Sequence, residues 1–367
     1  MKIAIIGTRG IPNFYGGFEQ FAEYLAKGLV SKKHEITVYN SSSHPYKESI
    51  WQGVHIVHCN DPEDKWGTVG QFVYDLNCIR HARKQNFEII LQLGYTSSSI
   101  WGWLLPKKSI ITTNMDGLEW KRSKYSKPVQ MFLQKAEYLG VKFSDYLISD
   151  SIGIQDYLQK KYKVNSTYIP YGAHLFIDTD ISILQKYKLE EYQYNMLIAR
   201  FEPENNLETI LDGVAKSAKS QTFLVIGKYE TTFGQYLVNK FKQNINIRFL
   251  GPIYDINILN NLRYYSNIYF HGHSVGGTNP SLLEAMASNG LICAHNNTFN
   301  KTILQEDAFY FSNSDEVKEY VEKVEKMKYL NFIDNNTQKI KSLYSWEKII
   351  DDYENHFVSI YNKKQKK

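Results

Sequence analysis

The chain has 367 residues, more than one hydrophobic core usually organises, so two domains are expected. A composition of 43% hydrophobic and 22% charged residues is that of a globular protein in water and excludes a fibrous, disordered or membrane-spanning chain. The net charge of +5 is uneven: residues 1–170 hold 21 Lys+Arg against 15 Asp+Glu, the remainder 22 against 23, and with no nucleic-acid-binding motif this mild excess argues against a nucleic-acid partner.

The opening MKIAIIGTRG has one Lys followed by a run of four apolar residues before Gly7, too short for an export signal, and no later run approaches a membrane span. A cytoplasmic protein is expected. Cys59, Cys78 and Cys293 are far apart and show neither paired nor metal-ligand spacing, which fits a reducing compartment.

Lys2 to Ile6 reads as a strand covered on both faces, and after the long turn GTRGIPNFYGG a helical pattern runs from Phe18 to Val30. Strand, loop and helix in this order open a doubly wound α/β domain. Further strands are expected at Glu35–Tyr39, Val54–His58, Phe87–Leu93, Ser109–Thr113 and Tyr146–Ser149, alternating with helices at Val69–Gln85, Lys127–Lys142 and Ile152–Lys161. The pattern then restarts. Strands at Asn195–Ala199, Thr222–Ile226, Ile245–Leu250, Asn267–Phe270 and Leu291–Ala294 alternate with helices at Leu207–Ala218, Phe233–Gln243, Asp255–Tyr265 and Pro280–Ser288. Between the sets, Ile169-Pro170-Tyr171-Gly172 and an irregular tract to about Glu191 read as a hinge. The domains expected are therefore 1–170 and 171–344, with a long amphipathic helix from Ser345 and its basic tail, 345–367, packing back on the first. Two such sheets facing across a cleft would present to it the loops after Ile6, Thr113, Ala199, Ile226 and Phe270.

The stretch His271 to Gly290, HGHSVGGTNPSLLEAMASNG, carries the most chemistry. Gly276 and Gly277 leave amides uncovered by side chains, Asn279 is a good helix cap, and Pro280 suits the first helical position. A helix that starts at bare amides can hold a phosphate. Glu284 lies one turn inside an otherwise apolar helix and needs a partner; it is either a structural carboxylate or one that grips ligand hydroxyls.

A dinucleotide fingerprint would need glycines at 7, 9 and 12, where Gly7, Arg9 and Pro12 stand, so it fails. Gly7, Gly10, Gly16 and Gly17 still make a second amide-rich helix start, the alternative being an ordinary long turn. Arg200 and Lys228 each follow a strand, placed either to meet phosphate oxygens or, for Arg200, to form a surface pair with Glu202 or Glu204. Asp178-Thr179-Asp180 resembles a short metal-binding motif, but it falls in the hinge and such matches are common by chance, so no metal site is expected. His271 and His273 have no third ligand to complete a metal site, so hydrogen bonding is their expected role. Eight basic against three acidic residues between Lys107 and Lys142 make either a solvated face or one for an anionic membrane surface.

The strings GTRGIPNFYGGFE, NMDGLEWKR, ARFEPENN and HSVGGTNPSLLEAM resemble the retaining two-domain GT-B glycosyltransferases of family 4, and within them the bacterial rhamnosyltransferase-like subgroup that builds surface polysaccharide on a lipid diphosphate carrier. The resemblance covers essentially the whole chain. It implies two Rossmann-like doubly wound domains, the first binding acceptor and the second the nucleotide sugar. It also implies transfer of a hexose, rhamnose among the candidates, from a nucleotide diphosphate donor to a lipid diphosphate-linked saccharide, with no cofactor, at the inner face of the plasma membrane. Residue by residue, Arg200 matches the arginine on the donor diphosphate, Glu284 the glutamate on the ribose, and Gly277, Thr278 and Asn279 the amides beneath the phosphates. Gly16 and Gly17 match the first-domain glycine loop, and Asp116 falls beside the transferred sugar; His273 is placed with the donor site. Two positions depart from the pattern. Asn205 replaces the usual lysine, leaving Arg9 or Lys228 to supply the cation, and Gly276 replaces the first glutamate of the family's pair. Lys121, Arg122, Lys124 and Lys127, beside Trp101, Trp103, Leu104 and Leu105, would meet the membrane or acceptor. A nucleotide-sugar epimerase shares the bilobal architecture and is the rival reading; a bilobal binding protein is disfavoured, because such proteins usually carry export signals.

Overall fold

The computed structural model describes residues 1–14, 16–115, 117–122 and 125–366. It separates into one compact unit made of Met1–Lys121, Tyr125–Tyr171 and Trp346–Lys367, and a second made of Gly172–Ser345 with Arg122–Lys124.

The first unit is built on β1 (Lys2–Ile6), β2 (Glu35–Ser41), β3 (Ile50–Trp51), β4 (Val54–Cys59), β5 (Ile89–Leu93), β6 (Ile110–Asn114), β7 (Tyr146–Ser149) and β8 (Thr167–Tyr168). They form a sheet of order β3-β4-β2-β1-β5-β6-β7-β8, parallel except for the β3–β4 hairpin. The runs KIAII and IILQL are buried at nearly every position because helices cover both faces. The short edge strands β3 and β8 have too few residues to show a period. Helix Trp346–Gln365 belongs to this unit: Phe21 and Tyr24 of helix Gly17–Ser31 meet its Trp346 ring, Tyr353 packs beside Phe21, and Lys32 pairs with Asp351 and Glu354.

The second unit has β9 (Tyr194–Ile198), β10 (Thr222–Ile226), β11 (Ile247–Gly251), β12 (Tyr269–His271), β13 (Ile292–His295) and β14 (Phe309–Phe311), all parallel in the order β11-β10-β9-β12-β13-β14. Its core gathers Leu197, Phe223, Val225, Phe270, Cys293 and Phe311 from the strands with Leu207, Ile210 and Leu211 from a flanking helix. β14 and the helices Thr298–Leu304, Ser314–Lys323 and Leu330–Leu343 complete it beyond the elements read from periodicity. The tract after Gly172 is less irregular than expected, since Ile183–Tyr187 is helical with Ile183 and Leu184 buried.

Cys59 and Cys78, distant in sequence, are brought together between β4 and the helix Thr68–Ala82: a hydrogen bond with Cys78 draws the Cys59 thiol down, and burial pushes the Cys78 thiol up. Among the described residues no helix is long and apolar enough to cross a membrane.

Candidate functional site

In the second unit, the loops after β9 and β12 are clamped together. Phe201 anchors the first loop in the core against Tyr229 and Phe249, which leaves the preceding Arg200 exposed at the strand end. The Arg200 carbonyl accepts from Asn205 Nδ2 at 2.8 Å, Asn206 Nδ2 donates to the Gly272 carbonyl at 2.8 Å, and Ser274 donates to the Glu204 carbonyl from both its amide and its hydroxyl. Gly272 permits this approach, since a Cβ there would overlap the Asn205 carbonyl. Arg200's guanidinium forms no ion pair among the described residues, so the surface pair with Glu202 or Glu204 is not made. Lys228, after β10, is likewise exposed and unpaired among them. Asn205 is 3% exposed and holds the Arg200 turn, a structural part where a donor contact was expected.

The loop after β12 then runs to the helix Pro280–Ala287. Asn279 caps it, its side chain accepting from the Ser281 amide at 2.9 Å, and Pro280 holds the first position. The amides of Gly276, Gly277 and Asn279 meet no acceptor among the described residues. Gly276 has φ +132° with open space where a Cβ would project, so a side chain here would be strained by its backbone and not by its neighbours. Thr278 is buried. His273 stacks on His271 at 4.5 Å between ring centroids, and its carbonyl accepts from Asn297 and Asn300, which fixes the loop. Burial and then the Arg200 charge hold the His273 imidazole neutral, its pKa drawn down to about 3.

Glu284 is neither free nor deeply buried: its side chain is 24% exposed and its Oε2 accepts from the Arg263 guanidinium at 2.7 Å. Periodicity could not name this partner, although Arg263 is the one basic residue between Arg248 and Lys301.

In the first-unit loop the amides ahead of the helix are largely engaged, whereas the helix start has no side-chain cap and the Gly17 and Phe18 amides meet no acceptor among the described residues. The amide of Arg9 donates to Glu19, Gly10 to Thr8, Ile11 to Asn40, Asn13 to Glu23 and Gly16 to Asn13. The first helix supplies two of these acceptors, both carboxylates. Arg9 itself is held by Glu63 through two bonds of 3.0 and 2.7 Å, so it is not a spare cation for a ligand. Gly17 opens the helix. Asp116 and Lys124 lie outside the described residues.

A further feature escaped periodicity. Glu137, 1% exposed, accepts from Tyr157 (2.8 Å), Lys161 (2.8 Å), Tyr162 (2.6 Å) and Trp120 (3.2 Å), tying the segment after β6 to two helices. Of the expected membrane group, Trp101 donates to the Phe72 carbonyl and packs with Leu104 and Leu105 against the core, so they are not surface anchors. Trp103 is 64% exposed; Lys121 and Lys127 are exposed, and Arg122 is partly buried. Asp180 accepts from the Ser182 amide at 2.9 Å, a turn role, and among the described residues no three His, Cys, Asp or Glu side chains gather as metal ligands.

Two doubly wound parallel sheets, each in its own unit, are the GT-B architecture. The chain is similar over 99% of its length to 99% of a sucrose-phosphate synthase from Thermosynechococcus elongatus, at 16% identity and a TM-score of 0.80. It is similar over 98% of its length to all of Anabaena HepE, solved in complex with UDP and glucose, at 14% identity and a TM-score of 0.73. WaaG, a glycosyltransferase involved in lipopolysaccharide biosynthesis, matches over 95% of this chain and 97% of its own at 12% identity and a TM-score of 0.66. No curated protein sequence matches. Residues 181–340 match the family model of glycosyl transferases group 1, and residues 1–174 match a domain of unknown function, DUF1972. The fold is that of the GT-B class, and the second unit carries the match to glycosyl transferases. More particularly, its second unit is a glycosyl transferases group 1 domain and its first a DUF1972 domain.

Proposed function

We propose that the protein transfers a hexose, rhamnose among the candidates, from a nucleotide diphosphate donor to a lipid diphosphate-linked saccharide, with retention, in surface polysaccharide synthesis. The observation that carries this reading is one loop cluster of the second unit. There the Arg200 guanidinium and the amides of Gly276, Gly277 and Asn279, none of them with a partner among the described residues, and a partly buried Glu284 follow two neighbouring strands. A diphosphate suits the amides and the guanidinium, and a ribose suits the carboxylate. HepE, of the same fold, was solved with UDP and glucose.

The chemistry asked of such a site is electrostatic. As the bond from sugar to diphosphate breaks, charge grows on the phosphate oxygens, and donors already aimed there stabilise it. The acceptor hydroxyl attacks from the face the diphosphate leaves and passes its proton to a phosphate oxygen. Asp116 is proposed beside the transferred sugar, and Lys228 as the second cation. Incubating nucleotide sugars with and without acceptor tests the reading: release of nucleoside diphosphate should require acceptor. A sugar inverted at one carbon without acceptor would instead mark an epimerase, which the glycosyl transferase domain match disfavours.

We place the protein at the cytoplasmic face of an anionic membrane. Helix Lys127–Phe143 supports this: Met131, Lys135, Tyr138 and Lys142 recur at i, i+4, i+7 and i+11 and are all exposed, with Val129 and Phe132 beside them.

A further inference from the structure

We infer that Arg263 is a positioning residue that orients Glu284 toward the hydroxyls of the donor's ribose, an inference that rests on the nucleotide-sugar reading of this site. Arg263 is 1% exposed and reaches Glu284 from a different helix, Ile256–Tyr264. Its guanidinium is fixed from several sides: Nη1 donates to Asn260 at 2.8 Å, Nη2 to Glu284 at 2.7 Å and Ser281 at 3.3 Å, and the group lies 5.8 Å over the Tyr269 ring. Tyr269, on β12, is in turn bonded through its hydroxyl to Ser281 at 2.8 Å. The contact takes only one carboxylate oxygen. Glu284 Oε1 has no partner among the described residues, on a side chain that remains 24% exposed. A carboxylate with one oxygen locked by a buried guanidinium presents the other in a fixed direction. Glu284 sits four residues past Pro280, about 6 Å along the helix axis from the helix start that the uncovered amides precede. A nucleoside diphosphate whose phosphates meet those amides places its ribose beside that oxygen.

Stability alone gives a weak reason for the pair, since burying a guanidinium costs desolvation and apolar groups of similar size often replace such pairs without loss. That supplies the test. Wild type, Glu284→Gln, Arg263→Met, Arg263→Lys and the double variant Arg263→Met/Glu284→Leu are titrated calorimetrically with UDP, GDP, ADP and dTDP and with their 2′,3′-dideoxy forms, below each variant's melting temperature. Wild type should bind its preferred nucleotide about tenfold or more tighter than the dideoxy form, the scale of a lost hydrogen bond to a charged group. Glu284→Gln and Arg263→Met should lose that preference alike, the double variant should be no worse than either, and Arg263→Lys should keep part of it. The double variant should also recover the melting temperature that Arg263→Met loses, and it carries the test if Arg263→Met does not fold. If Glu284→Gln loses the preference while Arg263→Met keeps it, Arg263 serves only the fold and the inference is overturned with the site reading intact. A wild type that binds none of the nucleotides, or shows no preference for the hydroxyls, overturns the reading and the inference together.

Discussion

Arg200→Ala separates catalysis from folding more cleanly than any other change in the site. The guanidinium is exposed and has no ion-pair partner among the described residues, while its backbone carbonyl, which the substitution retains, makes the contacts that hold the loop. Stability should therefore move by no more than about 0.5 kcal/mol, the range of surface changes that break no partner. Turnover should fall about 10²- to 10³-fold, or roughly 2.7–4 kcal/mol, the loss typical of one stabiliser of transition-state charge. Because the diphosphate gains charge as its bond to sugar breaks, kcat should fall more than donor affinity. Arg200→Lys keeps the charge but loses the two-pronged donor geometry and should recover only part of the rate. Nucleoside diphosphate release under saturating acceptor measures turnover, and calorimetric titration measures donor affinity. A loss below about fivefold with an unchanged circular dichroism spectrum would remove Arg200 from the mechanism, since one transition-state donor is worth far more.

Activity should survive a chelator, because the diphosphate is assigned to amides and arginine and Asp180 is engaged with the Ser182 amide; abolition by EDTA and rescue by a divalent ion would contradict this. Acid should weaken the first unit through His356, which is bonded to Thr112 and Thr167 and held neutral by burial, its pKa lowered to about 4. The unfolded chain takes up this proton near pH 6.5 and the folded chain does not, so stability is complete above that value. It declines as pH falls toward 4, by about 2 kcal/mol at pH 5. His356→Gln should flatten that slope in urea titrations at about pH 5 and 7.5, and equal slopes would refute the assignment. Replacing Lys127, Lys135 and Lys142 by Gln should reduce co-sedimentation with anionic vesicles, and raising salt should reduce wild-type binding in the same way. Undiminished vesicle binding by the triple variant would make the stripe an ordinary solvated face.

What the sequence made legible is what a short window encodes. The run KIAII is a strand because helices cover it on both sides, and Asn279-Pro280 starts a helix because a cap and a fixed φ act within two residues. Both repeats of the α/β pattern follow from such windows. Pairings across the chain were not legible: Glu284 meets Arg263 from 21 residues away, Arg9 meets Glu63 from 54, and the donors to Glu137 come from 17 to 42 residues away. A carboxylate in an apolar helix announces that it needs a partner, but only the packing of helix on helix says which. The misreading of Trp101, Leu104 and Leu105 has the same origin, since an aromatic and aliphatic run looks alike whether it faces a bilayer or a core.

The first-unit loop shows how such a distant pairing alters the chemistry inferred for a site. Its glycines suggest a second phosphate cradle; helix geometry turns Glu19 and Glu23, one turn apart, back onto the amides of Arg9 and Asn13, while the Gly17 and Phe18 amides at the helix start keep no acceptor among the described residues. An anion arriving there would meet carboxylates, and Glu63 has already neutralised the one nearby guanidinium. In the second unit the amides of Gly276, Gly277 and Asn279 have no acceptor among the described residues, and Arg200 at the neighbouring strand end makes no ion pair among them. Asn205, a neutral side chain, is buried and holds the Arg200 turn, so a second cation for a diphosphate must come from elsewhere. Of Arg9 and Lys228, Arg9 is already paired with Glu63, and Lys228, exposed after β10, has no ion pair among the described residues.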